Sequence, residues 1–190
     1  MNERIKAGFA MTGSFCTFEK AFSALEELTH KGIDTTPVMS FNAAGTDTRF
    51  GKAADHIKRL EDICGKKVIK TIEDAEPIGP KKMFDILIVA PCTANTAAKL
   101  ALGITDTPVT MAVKSHVRNQ RPVVIAISTN DALAACAKNI GQLQNMRNYY
   151  FVPYRQDDAD KKPFSAVADM TKLYDTVMCA LERRQIQPMI

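Results

Sequence analysis

Phe84-Asp85-Ile86-Leu87-Ile88-Val89-Ala90-Pro91-Cys92-Thr93-Ala94-Asn95-Thr96-Ala97-Ala98-Lys99 is the stretch from which the fold is read. Its apolar run is unbroken and rich in β-branched residues, the pattern of a parallel strand buried on both faces. Ala90-Pro91 ends the run, a small polar cluster follows, and helix-forming residues take over. A strand that passes directly into a helix puts the junction at the carboxyl end of the sheet, where open α/β folds hold their ligands. The cluster offers hydroxyls, a carboxamide and one thiol, and no carboxylate or imidazole. Such a set holds an anionic or heteroaromatic group through hydrogen bonds, so the segment reads as a cofactor cradle.

Outward from this stretch, strands and helices alternate. Residues 5–11 read as a first strand, 12–14 as a turn, and 15–31 as an amphipathic helix with Phe18, Phe22, Leu25 and Leu28 on one face. Gly32 is placed to stop that helix. Residues 33–41 form a second strand, in which Pro37 points to a sheet edge. A polar loop over 42–50, a helix over 53–64 closed by Gly65, and a short strand at Val68 and Ile69 follow. Beyond the central stretch come helices over 94–102 and 108–117, a strand over 122–128, a helix over 131–146 and a short strand over 149–152. The alternation predicts an α/β fold: a single doubly wound, flavodoxin- or Rossmann-like parallel sheet in three α/β/α layers. Residues 1–155 make up this α/β domain, and residues 156–190 a charged loop (156–163) and a C-terminal helix (165–184) packed on it.

At 190 residues, 46% hydrophobic and 24% charged, the composition is that of an ordinary globular chain. The net charge of +4 is scattered without a basic run, which argues against nucleic acid as a partner. No apolar stretch approaches the roughly 18 residues that a membrane span needs. The N-terminal residues enter a strand without a signal-like apolar region. The five cysteines include no C-x-x-C pair, so reduced thiols in the cytoplasm are expected, with no metal site.

The loops narrow the cofactor. A dinucleotide fold needs G-x-G-x-x-G after the first strand and an acid at the end of the second. Here those places hold Met11-Thr12-Gly13-Ser14-Phe15 and Val38-Met39-Ser40-Phe41, and both requirements fail. Gly8 and Gly13 have Walker-type spacing, but Ser14 stands where lysine belongs, and Gly8 reads better as a strand glycine. A Thr-Gly-Ser turn before a helix suits one phosphate at the positive helix end, or simply caps the helix. Polar strand ends recur at Pro91, Thr93, Ala94, Asn95 and Thr96, and again at Ser128 and Asn130. Three such ends converging on one site describe a monophosphate with a hydrogen-bonding ring, which is FMN. Gly13 and Ser14 then grip the phosphate, Ser40 reaches the ribityl chain or phosphate, residues 93–96 face the ring, and Ser128 and Asn130 meet the ring edge or substrate. Cys16 and Cys92 are expected as small buried hydrophobes, and His30, His56 and His116 have no partners at ligand spacing.

Pro91-Cys92-Thr93-Ala94-Asn95-Thr96 followed by Ala98-Lys99-Leu100-Ala101-Leu102-Gly103-Ile104-Thr105-Asp106 resembles the P-A-S-A-N-T and A-K-x-A-x-G-x-x-D segments of the FMN-binding flavoproteins that include the oligomeric cysteine decarboxylases. Within that superfamily the chain is similar, from end to end, to the B subunits of the dipicolinate synthases. Thr12-Gly13-Ser14-Phe15-Cys16-Thr17, Thr48-Arg49-Phe50-Gly51, Ala75-Glu76-Pro77-Ile78-Gly79-Pro80, Ser128-Thr129-Asn130-Asp131-Ala132-Leu133 and Tyr150-Phe151-Val152-Pro153 carry that similarity. Two positions depart from the decarboxylases. Pro77 occupies the place of their catalytic histidine, and Ile127-Ser128-Thr129-Asn130 replaces their P-x-M-N.

The resemblance implies an oxidoreductase subunit that is inactive alone. Together with the NAD(P)-binding A subunit of a dipicolinate synthase it would oxidise a dihydrodipicolinate-type cyclic dicarboxylate to pyridine-2,6-dicarboxylate, in the mother-cell cytoplasm of a sporulating bacterium. It also implies trimer-based homo-oligomers with FMN at subunit contacts. A dicarboxylate calls for bidentate cations; Arg49 leads, followed by Arg118 and Arg155. The alternatives are a stand-alone FMN-dependent decarboxylase or prenyltransferase, and a scaffolding subunit without catalysis.

Overall fold

The computed structural model describes residues 4–190. Strand β1 (Lys6–Met11) leads through a 3-10 turn into α1 (Phe18–His30), and β2 (Asp34–Met39) into the short α2 (Phe41–Gly45). Helices α3 (Ala53–Cys64) and α4 (Ile72–Ala75) precede β3 (Ile86–Cys92), which passes into α5 (Ala94–Leu102) and α6 (Pro108–Val117). Then come β4 (Val123–Thr129), α7 (Ala137–Asn145), β5 (Tyr149–Phe151), β6 (Tyr154–Asp158), β7 (Lys162–Ala168) and α8 (Leu173–Leu181).

Five strands are parallel in the spatial order β2-β1-β3-β4-β5, which is the expected doubly wound arrangement. The topological switch falls between β1 and β3, so these two strand ends flank the crevice in which such sheets bind ligands. Every residue of β3 is buried. Ile86, Ile88 and Ala90 pack on one side with Phe18, Phe22, Leu25 and Leu28 of α1 and Leu173 and Val177 of α8. Leu87 and Val89 pack on the other with Val109 and Val113 of α6 and Ile140 and Leu143 of α7. Burial of each such side chain contributes about 1.5–3 kcal/mol, and this two-sided packing is why the run shows no alternation in sequence. Gly8 is indeed a packing glycine: a Cβ there would lie 2.4 Å from Leu87 Cδ1. Pro37 sits in β2, at the sheet edge where proline costs no ladder bond.

The C-terminal region departs from the expected loop and helix. β6 and β7 form an antiparallel hairpin, and β7 adds to the far end of β4, with Ser128 opposite Val167. The complete sheet is therefore mixed and seven-stranded. Six of the nine residues 154–162 are charged and both arms are largely exposed at the tip, so no period-two apolar pattern announced them. Residues 165–168 are strand, and the last helix is confined to Leu173–Leu181. Likewise α7 starts only at Ala137, because residues 131–136 turn on the Asp131 carbonyl, which accepts from the Ala134 and Cys136 amides. Ile69 makes only an isolated bridge to Val38 rather than a strand, and the loop after β2 holds α2.

One buried histidine makes the fold pH-sensitive. His116 is 1% exposed, its Nε2 lies 3.0 Å from the Pro122 carbonyl at the entry to β4, and burial pushes its pKa from 6.5 to about 4. Above 6.5 the ring is neutral both folded and unfolded. As the pH falls below that, the unfolded chain takes up a proton that the folded chain refuses, so stability declines until the folded value is reached. Urea midpoints should therefore drop between pH 7 and pH 4.5, with His116 contributing about 3 kcal/mol over the whole window. His116→Gln should flatten the decline, and an unchanged slope would contradict this assignment.

Candidate functional site

Thr12, at the end of β1, ties the two sides of the switch point together. Its amide and hydroxyl both donate to the Pro91 carbonyl, at 3.2 and 2.8 Å. Its hydroxyl oxygen accepts from the Thr93 amide at 3.0 Å. The register between β3 and β4 shifts between Val89 and Cys92, and this shift turns the 91–93 corner toward Thr12. Thr12 is 1% exposed, so its hydroxyl is structural and holds the corner in place.

A second knot joins β1 to β4. The Ser14 and Ser128 hydroxyls lie 2.9 Å apart and those of Thr17 and Ser128 3.0 Å apart. Thr17 also donates to the Ser14 carbonyl at 2.7 Å. Three strand ends expected to converge thus do so, with Gly13 and Ser14 from the first, residues 91–96 from the second and Ser128 from the third. Thr12 and Thr17 brace the converging strand ends from within, and motif reasoning gives them no such place. Their signal is a hydroxyl on either side of Gly13-Ser14, which residue type alone does not separate from a cap.

Two of the expected ligand residues have a local task as well. Ser40 is buried, accepts from the Ala43 amide at 3.3 Å and caps α2. Thr93 caps α5, accepting from the Thr96 amide at 3.3 Å while its hydroxyl donates to that of Thr96 at 3.1 Å. Asn95, in the first turn of α5, is exposed. The first-turn amides of Ala94 and Asn95 have no intrahelical acceptor, and with the helix dipole they present positive potential at the cradle. Asn130 is likewise exposed, in the turn after β4.

The second half of the long motif has a different purpose. Lys99 bonds both oxygens of Asp106 at 2.8 Å, across a left-handed turn at Gly103 (φ 71°) that ends α5. The Lys99 hydrogen bond holds the Asp106 carboxyl below the usual range. A-K-x-A-x-G-x-x-D is thus a helix stop that fixes the length of the cradle helix.

The arginines separate. Arg49 is exposed on the loop between α2 and α3, its guanidinium 4.8 Å from the Phe50 ring. Arg118 follows α6 and precedes β4, beside Gly79, whose carbonyl accepts from Asn119 at 2.7 Å. That is the amino end of the parallel strands, so within one chain Arg118 lies away from the cradle. Pro77 lies on the 3-10 turn Glu76–Ile78 before β3, at that same end. Arg155, on β6, lines a cavity of about 460 Å³ between α1 and the hairpin, with Lys20, Glu27 and Asp169.

All five cysteines are free thiols. Cys92 is fully buried as expected, and burial raises its pKa far above the usual thiol range, which removes it as a nucleophile. Cys16 is exposed, contrary to the expectation of a buried hydrophobe. Ser14 and Thr17 turn inward to Ser128, leaving Cys16 between them on the outer side. No cluster of potential metal ligands occurs among the described residues, and no helix among them is long and apolar enough to cross a membrane. What the cradle provides is hydrogen-bond donors, amide dipoles and small side chains, with no strong acid or base.

A doubly wound sheet with a neutral, donor-rich cradle at its switch point defines a nucleotide-cofactor protein that lacks the dinucleotide fingerprint. The chain belongs to the Flavoprotein family, which it matches over residues 1–183. It is 46% identical over 185 residues to the B subunit of dipicolinate synthase from Bacillus subtilis, covering 97% of this chain and 92% of that protein. Its structure superposes on that of the dipicolinate synthase B subunit from Bacillus halodurans with a TM-score of 0.90 at 39% identity, covering 100% of this chain and 97% of the other. The FMN-dependent cysteine decarboxylase SpaF shares the fold, with a TM-score of 0.69 at 22% identity over 94% of this chain and 96% of its own.

Proposed function

We propose that this chain is the flavin-bearing B subunit of a dipicolinate synthase, holding FMN in the cradle at the ends of β1, β3 and β4. The observation that carries the reading is the 46% identity across 97% of the chain, which spans the whole cradle. The donor set fits the group. Gly13 and Ser14 would take the phosphate beside the opening of the α1 segment, Ser40 would meet the ribityl chain, and the amides of Ala94 and Asn95 with the Asn95 carboxamide would meet the ring's polar edge. Ser128 and Asn130 close the third side. FMN, when bound, supplies an acceptor for two electrons and a proton.

The chain's own residues would orient the ring through the 91–93 corner, which Thr12 braces from beneath by its bonds to the Pro91 carbonyl and the Thr93 amide. The substrate is a dihydrodipicolinate-type cyclic dicarboxylate that loses two hydrogens to become pyridine-2,6-dicarboxylate, with one carboxylate on Arg49. NAD(P) belongs to the companion A subunit, in keeping with the failed dinucleotide pattern here. Trimer-based homo-oligomers would complete the open side of the cradle, in the mother cell of a sporulating bacterium. A decarboxylase is disfavoured by Pro77, which cannot carry a proton as an imidazole does.

Reconstitution decides the matter. This chain with the A subunit, NAD(P) and substrate should yield the pyridine product much faster than the same mixture lacking this chain. Equal rates with and without the chain would refute the subunit role. A colourless protein that cannot take up FMN and yet stimulates its companion would convert the reading to a scaffold.

A further inference from the structure

His56 is a buried imidazole with no hydrogen-bond partner on Nε2, the one such side-chain atom found among the described residues. It is 6% exposed, and a buried polar atom left without a partner costs stability. The ring is set edge-on to Phe18, with centroids 5.0 Å apart, and stacked on Phe22 at 5.9 Å. Its Cε1–Nε2 edge meets Gly51. A Cβ at Gly51 would fall 2.7 Å from His56 Cε1 and 2.8 Å from Nε2, and Gly51 has φ 133°, a backbone state unsuited to side chains.

Gly51 closes a tight turn. The Thr48 amide donates to the Gly51 carbonyl at 3.0 Å, and the Gly51 amide to the Thr48 carbonyl at 3.1 Å. Phe50 donates its amide to the Thr48 hydroxyl at 3.1 Å, and the Asp47 carboxylate accepts from the Ala53 amide at 2.9 Å. The two residues at the tip are Arg49 and Phe50, both largely exposed, the cation over the ring. Arg49 has no carboxylate partner among the described residues, whereas Arg59 beneath is paired with Glu19 and Glu26. The turn follows α2, whose cap is Ser40 and whose Asn42 lies against Gly13.

We propose that His56 is a positioning residue: its uncharged ring is the seat of the 48–51 turn, which presents Arg49 as the carboxylate clamp beside the cradle. This rests on the dicarboxylate reading above and adds the element that aims the cation. The charged groups around the ring are Glu19 on α1 and Asp55 and Arg59 on α3. Burial lowers the His56 pKa, against the pull of Glu19 and Asp55 and with that of Arg59. Acid therefore puts a charge under the turn only below the ordinary histidine range, and the clamp loosens as pH falls.

The test uses FMN-saturated full-length protein, pyridine-2,6-dicarboxylate as the probe, and trypsin cleavage after Arg49 as a report on the turn. In the wild type, lowering the pH from 7.5 to about 5 should weaken dicarboxylate binding and accelerate cleavage by about tenfold, together, with each cleavage rate taken relative to an unstructured arginyl peptide at the same pH so that trypsin's own loss of activity in acid cancels. His56→Leu, which keeps an uncharged seat, should remove the acid step from both readouts while leaving FMN affinity unchanged. His56→Ala should give fast cleavage and weak dicarboxylate binding at every pH. The proposal is overturned if His56→Leu keeps the acid step, or if His56→Ala leaves cleavage and binding as in the wild type. Failure of the substrate reading shows separately, as wild-type protein that binds no dicarboxylate although cleavage still steps with pH and is flat in His56→Leu.

Discussion

Asn95→Leu should fold as the wild type does and fail to retain FMN. Asn95 lies in the first turn of α5 with its side chain in solvent, so the substitution removes no core contact, and leucine is the better helix former. Unfolding midpoints should therefore stay put or rise slightly. The flavin loses the carboxamide and meets a branched apolar group in its place. Loss of one or two hydrogen bonds with a steric obstruction amounts to about 2–3 kcal/mol, or roughly a hundredfold in affinity. Flavin absorbance of the purified protein and quenching of added FMN measure this directly. Wild-type affinity in the variant would move the ring away from Asn95.

Thr12→Val should have the largest effect on the architecture of the site. Valine matches threonine in shape and removes the hydroxyl that both donates to the Pro91 carbonyl and accepts from the Thr93 amide. The Thr93 amide is then left without its acceptor beside a residue that was 1% exposed. Stranding such groups costs about 2–4 kcal/mol. Flavin retention should fall with stability, because the displaced corner carries the first turn of α5. Thr12→Ser restores the hydroxyl and should recover most of both properties. A Thr12→Val protein of unchanged urea midpoint would show that the 91–93 corner stands without this link.

The parallel half of the fold was legible because burial on two faces leaves a plain mark, as in residues 86–89, and because Gly32, Gly65 and Gly103 end their helices with positive φ. The hairpin was not legible. Its strands are stabilised by pairing with β4 and with each other, and neither interaction writes an apolar period into Arg155, Gln156, Asp157 and Asp158. The polar strand ends were found by type, since hydroxyls and amides cluster at Ser14, Thr93 and Ser128. What sequence could not separate is which hydroxyl faces a ligand and which serves the fold. Thr12 faces inward and holds the corner, while Ser40 and Thr93 cap helices. The helix end after Leu102 was legible from Gly103, and the Lys99–Asp106 pair that braces it is what the structure adds. His56 carried no spacing signal at all, since its role depends on a glycine five residues earlier in a turn.

The central claim is that the ends of β1, β3 and β4 hold FMN. Crystals of the chain grown with saturating FMN test it most directly. The phosphate should lie at Gly13 and Ser14, with the polar edge of the ring within hydrogen-bond reach of Asn95 and the Ala94 amide. Flavin density in the cavity between α1 and the hairpin, or none at the three strand ends under saturation, would contradict it.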